Sequence, residues 1–321
     1  MRRHLHLIIY KAAEAANTLR LSKRKTTSDR SPISACCFFC CLLLAFALTS
    51  CKGSKKETTS DKPTVSVTIE PFRYFVEQIV GDKVSVNVMV PAGSSPETYE
   101  PTPQQMVDLS QSVFYFKVGQ IGFEKTWMKK LQQNAPDMKV IDTSAGIRML
   151  KTQSGNIDPH TWMSIKSADI ITSNIAKALM EKYPKKAEEY KKRLRDFRKN
   201  KLDKLQNEID KYQSSIKGEK QKSFVIYHPT LTYFAKENGL KQYAIEEEGR
   251  EPSITQLKEL IQRAKSEDIN LIFVQKEFSN RNIQVFIDAT HSKAVEINPL
   301  SYDWEGQMLL ITKEIAQSGK K

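Results

Sequence analysis

Two blocks of short apolar strands alternating with amphipathic helices, set apart by one lysine-rich helical stretch, leave this 321-residue chain very few ways to fold. In the first block, Val65–Ile69 alternates apolar and polar residues as a strand does, Phe72–Val80 has helical spacing, and Val84–Val90 alternates again. A helix near Thr102–Gln111, a strand at Val113–Val118, a helix around Glu124–Gln133 and a strand at Met138–Asp142 follow. Strand, helix and strand in that order make a βαβ unit, and its repetition predicts a mainly parallel sheet covered by helices. From Pro184 to Ile216 the pattern changes. Apolar residues recur at three- and four-residue steps with no internal Gly or Pro, which predicts one helix about 50 Å long at ~1.5 Å per residue, its lysines forming a solvated face. The alternation then restarts. Ser223–Tyr227, Asn270–Val274 and Lys293–Ile297 read as strands, and Thr230–Asn238, Gln256–Lys265 and Asn280–Ala289 as helices. The expectation is an α/β fold of two lobes, residues 64–183 and 218–321, joined by a long helix over 184–217, with a cleft between the lobes.

The N-terminal region obeys different rules. Eight Lys or Arg residues between Arg2 and Arg30 precede an apolar run from Ile33 to Leu48, a basic region feeding a hydrophobic one. The run is shorter than the ~20 residues a helix needs to cross the bilayer core. It ends in Leu48-Thr49-Ser50-Cys51, which resembles a bacterial lipobox. Residues 1–51 are therefore expected to be a signal peptide cut before Cys51, whose thiol takes a diacylglycerol anchor; the alternative is an uncleaved anchor helix. Residues 52–63 have no apolar face and predict a disordered tether. All five cysteines fall at or before Cys51, so disulfides and thiolate metal sites are excluded from the mature domain. The leader's eight basic and two acidic residues hold +6 of the formal +13, leaving 42 basic and 35 acidic residues in the mature part. That mild excess, gathered mostly in one helical stretch and without a binding motif, argues against a nucleic-acid partner.

With His4 and His6 in the leader, the mature histidines are His160, His228 and His291. His160 lies in the polar turn Asp158-Pro159-His160-Thr161-Trp162, where proline favours an extended backbone and a presented imidazole. His228 follows the strand Phe224–Tyr227 directly, at the carboxyl end where α/β sheets present ligands. His291 sits in a helix-to-strand loop with no comparable setting. Composition alone leaves a structural role for His160 and His228 open beside a ligand role.

The order of motifs adds a resemblance. The segments Pro91-Ala92-Gly93-Ser94-Ser95-Pro96-Glu97-Thr98-Tyr99-Glu100-Pro101, Asp158–Trp162, Tyr227-His228-Pro229 with Tyr233-Phe234-Ala235, Gly249-Arg250-Glu251-Pro252-Ser253 and Ile297-Asn298-Pro299-Leu300 are similar, in sequence and spacing, to the zinc- and manganese-binding substrate-binding proteins of ATP-driven metal importers. The resemblance runs from residue 64 to 318. It implies two Rossmann-like lobes bridged by one rigid helix, with the metal in the interlobe cleft, and a membrane permease as partner; this class also implies a monomer. Carried over residue by residue, the ligands are His160, His228, Glu97 where the family commonly has a histidine, and Asn298 where it commonly has an aspartate, with Asp303 nearby as a substitute. Glu97 also has a plainer reading as a surface or helix N-terminal acid. Two imidazoles with one or two oxygens suit Zn2+, and would also accept Mn2+ or Fe2+. The imidazoles must be neutral to ligate, so affinity is expected to fall on acidification. Two rival functions are a zinc hydrolase, with Glu97 as base but no His-Glu-x-x-His motif to support it, and a surface adhesin or scaffold lipoprotein. The expectation is a transport protein, not an enzyme.

Overall fold

The structure is a computed structural model that describes residues 62–152, 154–215, 222–246, 249–276, 278 and 281–318. The signal peptide, the lipobox with Cys51 and nearly all of the tether lie outside the described residues. Among those described, no helix is long and apolar enough to cross a membrane.

The first lobe runs β1 (Thr64–Val67), α1 (Glu70–Val80), β2 (Ser85–Val88), α2 (Pro103–Leu109), β3 (Ser112–Lys117), α3 (Gly122–Asn134), β4 (Lys139–Asp142) and α4 (Ile165–Lys182). The second runs β5 (Ser223–Ile226), α7 (Thr232–Glu237), β6 (Lys241–Ala244), α8 (Ile254–Ser266), β7 (Leu271–Gln275), α9 (Arg281–Thr290), β8 (Lys293–Ile297) and α10 (Trp304–Ser318). Each lobe holds one four-stranded sheet, in the orders β2-β1-β3-β4 and β6-β5-β7-β8. Every pairing is parallel, as the alternation predicts. In each lobe the carboxyl ends of the parallel strands carry the loops where such folds place ligands.

Sequence patterns explain the local detail. Pro71 sits in the first turn of α1, where its missing amide costs nothing. Thr102 with Gln105 and Ser253 with Gln256 form capping boxes that start α2 and α8. In β5, Phe224 and Ile226 join a core shared by both lobes, while Val225 and Tyr227 join a second cluster under α8 and α9, the two-residue period of a strand buried on both faces.

The connecting segment departs from the expected uninterrupted α-helix. It comprises α5 (Ala187–Phe197), a π-helical turn at Arg198–Leu202 and α6 (Asp203–Ser214). The reason is legible in the spacing. Tyr190, Leu194 and Phe197 follow four- and three-residue steps, as do Leu202, Leu205 and Ile209, but Phe197 to Leu202 is a step of five. An α-turn would rotate Leu202 away from the core; the wider π-turn absorbs one extra residue and keeps Tyr190, Phe197, Leu202, Leu205 and Ile209 buried. Its N-terminal half packs on α1 and α4, and its C-terminal half on α10.

The lobes are also locked together directly. Trp162 donates its indole N–H to the Pro299 carbonyl and Trp304 donates to the Trp162 carbonyl, both at 2.8 Å and both rings fully buried. Glu237 of α7 accepts from the Ile165 and Lys166 amides at 3.0 and 3.2 Å, so one lobe caps a helix of the other. Tyr74 and Lys201 both donate to Glu305, and Tyr302 donates to Glu77.

Candidate metal centre

The four protein residues expected to ligate all sit in loops that leave the carboxyl ends of strands: Glu97 after β2, His160 after β4, His228 after β5 and Asn298 after β8. The structure brings His160 of the first lobe and His228 of the second together. Their ring centres stand 5.2 Å apart at an 80° angle. Both rings line a cavity of about 40 Å³, together with Glu97, Trp162, Gln275 and Phe278. That is room for an ion with a water or two, and too little for an organic ligand.

Each imidazole is oriented by a buried carboxylate. His160 Nδ1 stands 2.8 Å from Asp158 Oδ1, and His228 Nδ1 stands 2.7 Å from Glu246 Oε2. An ionised carboxylate only accepts, so Nδ1 carries the proton on both rings and the Nε2 lone pair is left for a ligand. Asp158 also accepts the His160 backbone amide at 2.8 Å. Burial pushes the Asp158 carboxyl up, but the attraction of the His160 ring when protonated, with hydrogen bonds from His160 and Thr232, outweighs it and holds the group below the usual aspartate range. Phe278 stacks on His228 at 5.3 Å, and Trp162 meets His160 edge-on at 5.3 Å. Gln275, itself buried, donates to the His228 carbonyl at 2.7 Å and accepts from its amide at 3.3 Å, so the backbone of that turn is clamped as well.

The oxygen donors are placed differently. Glu97 is exposed at the cavity rim, and its carboxylate accepts a long 3.4 Å bond from the Gly122 amide at the start of α3. This is the helix N-terminal setting that its plainer reading anticipates. Any side chain at position 122 would strike that carboxylate. Asn298 does not line the cavity. Its amide oxygen accepts from Leu300 N at 3.0 Å and its backbone amide donates to Gln307, an Asx-type turn that brings Pro299 and Leu300 to the wall instead. Asp303 accepts from Gly306 N at 3.1 Å at the start of α10. Among the described residues, no group of three or more His, Cys, Asp or Glu stands at metal-holding separation. His291, with a positive φ of 56°, lies in the α9–β8 turn and lines none of this cavity.

Sequence reasoning did not find Asp158 as a positioning group, nor Glu246 or Gln275. Asp158 had a local signal, two residues before His160. Glu246 opens the acidic run Glu246-Glu247-Glu248, which in sequence looks like a solvated stretch.

Two α/β lobes locked by a common core, with a cation-sized pocket between imidazoles of opposite lobes, define a solute-binding protein for a small ion. The family model for the zinc-uptake complex component A, periplasmic, matches residues 65–316. A metal ABC transporter substrate-binding lipoprotein, ScbA of Streptococcus cristatus, is 31% identical over 260 residues, covering 77% of this chain and 83% of the relative. The manganese ABC transporter substrate-binding lipoprotein PsaA of Streptococcus pneumoniae is 31% identical over 250 residues, covering 74% and 80%. A crystal structure of ZnuA superposes with a TM-score of 0.74 at 34% identity, covering 80% of this chain and 99% of that one. The chain belongs to the zinc-uptake component A family. As a member it is an extracytoplasmic, divalent-metal-binding protein that serves an ATP-driven importer, a transport family and not an enzyme class.

Proposed function

We propose that the cargo is zinc, held between the lobes by Nε2 of His160 and of His228 and by the carboxylate of Glu97, and passed to the importer's membrane permease by a monomeric protein anchored through a lipid on Cys51. The observation that carries the reading is the spacing of the two imidazoles. A zinc ion ~2.0–2.1 Å from each Nε2 stands roughly 3.2 Å from each ring centre, and a tetrahedral angle then sets the centres about 5.2 Å apart. The rings stand at 5.2 Å.

Glu97 reaches the ion by giving up its long bond to Gly122, a neutral-donor contact that a dication readily outbids. Water fills the remaining position, since the Asn298 oxygen is committed to Leu300; Asn298 acts by shaping the wall. Two nitrogens and a single carboxylate favour zinc over manganese, which prefers oxygen-rich sites. The buried carboxylates of Asp158 and Glu246 supply the two negative charges that balance the cation without touching it.

The test is metal content and competitive titration of the purified protein beside a His160→Ala/His228→Ala double variant. One zinc per chain, lost in the variant, is the expected result. Manganese or iron in its place would change the cargo and keep the site; tight zinc retained by the double variant would refute the site.

A further inference from the structure

The two histidines are held by different kinds of partner. His160 is bound by Asp158, two residues away in its own turn, and that turn is braced from the second lobe by Tyr233, which donates to the Asp158 carbonyl at 3.0 Å. His228 is bound by Glu246, eighteen residues further along the chain, beyond the edge strand β6. Glu246 itself is almost fully buried, and its backbone amide donates to the Tyr227 carbonyl at 2.9 Å, extending the β5–β6 register up to the residue before His228. The second carboxylate oxygen, Oε1, accepts from the Gly249 amide. One buried carboxylate thus ties an imidazole in the cavity to a loop at the surface.

That loop is exposed to solvent. Gly249, Arg250, Glu251 and Ser253 are exposed, Ile254 at the start of α8 is 77% accessible, and Arg250, Glu251 and Pro252 border a broad surface groove of about 650 Å³. Gly249 has a φ of 77°, a left-handed conformation that favours glycine, and it is this conformation that presents its amide to Glu246.

We propose that Glu246 is a positioning residue that couples the Gly249–Ser253 loop to the metal-binding imidazole of His228, so that ion capture in the cavity and the order of the surface loop change together. The inference rests on the proposed ligand role of His228. A cation on Nε2 draws electron density from the ring and strengthens the Nδ1–H bond to the carboxylate. Glu246 is then held more firmly, and with it the Gly249 amide. The coupling is reciprocal: a partner that displaces the loop pulls Oε1, frees the imidazole to rotate, and weakens the ion's hold from outside the cleft.

Glu246→Gln separates the two bonds. The amide keeps the size of the side chain and one acceptor oxygen, which can serve His228 or Gly249 but not both, because the amide nitrogen only donates. The experiment is hydrogen–deuterium exchange of the purified protein, apo and zinc-saturated, read in peptides covering 249–257, together with competitive zinc titration. In the wild type, zinc is expected to slow exchange in this segment severalfold. In Glu246→Gln, zinc affinity is expected to fall ~10–100-fold, and at saturating zinc the slowing in 249–257 is lost while protection around 158–162 remains. Glu246→Asp, which keeps both acceptor oxygens, should recover part of the slowing. No zinc effect on 249–257 in the wild type overturns the proposal by itself, whether or not the variants fold; so does wild-type slowing in Glu246→Gln. If His160→Ala/His228→Ala also bound zinc normally, the ligand assignment would fail, which is a distinguishable outcome.

Discussion

Glu124, in the first turn of α3, supplies a pH test of the first lobe. The carboxylate is almost fully buried; it accepts from the Val118 amide at 2.7 Å, from the Gly119 amide at 2.8 Å and from the Thr68 hydroxyl. Burial raises it, the three hydrogen bonds and the charge of Lys117 oppose burial, and the balance takes the group from 4.5 up to about 7. The sign follows from proton counting. Between the two values the folded protein binds a proton that the unfolded chain has released, so stability falls as pH rises across that window. The contribution is fully present below pH 4.5 and lost above about 7, an interval worth about 3 kcal/mol at ~1.4 kcal/mol per tenfold change. Glu124→Gln cannot ionise. Measured by thermal unfolding with a chelator present, the variant should be near or below the wild type at pH 5 and gain on it by about 3 kcal/mol by pH 8, roughly 6–12 °C for a domain of this size. A difference between the two proteins that does not change with pH would refute the assignment of a protonated, buried Glu124.

Three further outcomes follow from the geometry. Glu237→Ala removes the carboxylate that accepts from the Ile165 and Lys166 amides and should cost about 1 kcal/mol of unfolding free energy, as other lost helix caps do; an unchanged midpoint would mean the cap is idle. Glu97→Ala should weaken zinc at least tenfold in competitive titration, whereas Glu97→His should keep zinc and widen its margin over manganese, because imidazole suits the softer ion. Deleting Asn200, exposed within the π-turn, should convert that turn to ordinary α-helix without rotating Leu202, Leu205 or Ile209, and so cost less than about 1 kcal/mol; a deletion that unfolds the protein would refute the reading of the turn as one accommodated extra residue.

Much of the architecture was legible because it rests on periodicities that survive in sequence. The two-residue alternation of Val65–Val67 and the buried run Phe224–Ile226 lie on strands, and both sheets are parallel as the βαβ order requires. Less legible were elements whose signal is tertiary. α4 is buried along much of its length, β6 is a four-residue edge strand, and α10 begins at Trp304, whose indole is satisfied from the other lobe. The π-turn was written in the five-residue step from Phe197 to Leu202, but a step of five is visible only once the neighbouring steps are known to share one face. At the site, His228 stood out because it directly follows a strand, and His160 because it sits in the polar turn Asp158–Trp162. The groups that orient them did not, since the partner of His228 is brought in by the β5–β6 pairing and not by proximity in the chain.

That asymmetry bears on how the ion leaves. The lobes share a core through Trp162 and Trp304, and Glu305, Glu77 and Glu237 bridge them at separate points. Opening the cleft by hinge motion would break the two indole bonds together and expose rings that are now fully buried; at about 1.5–3 kcal/mol per large side chain and ~1 kcal/mol per hydrogen bond, the cost is roughly 5–8 kcal/mol, a large share of the ~5–15 kcal/mol margin of a typical domain. Moving one loop is far cheaper. On the proposed ligand set, His160 is held from both lobes through Asp158 and Tyr233, and Gln275 fixes the backbone of His228, so the ligand whose release disturbs least is the His228 side chain, held by the stacked Phe278 ring and by one carboxylate whose other oxygen ends at the surface. Under the proposed coupling of Glu246 to the Gly249–Ser253 loop, release by loop displacement with the lobes staying closed at the back is the less expensive route.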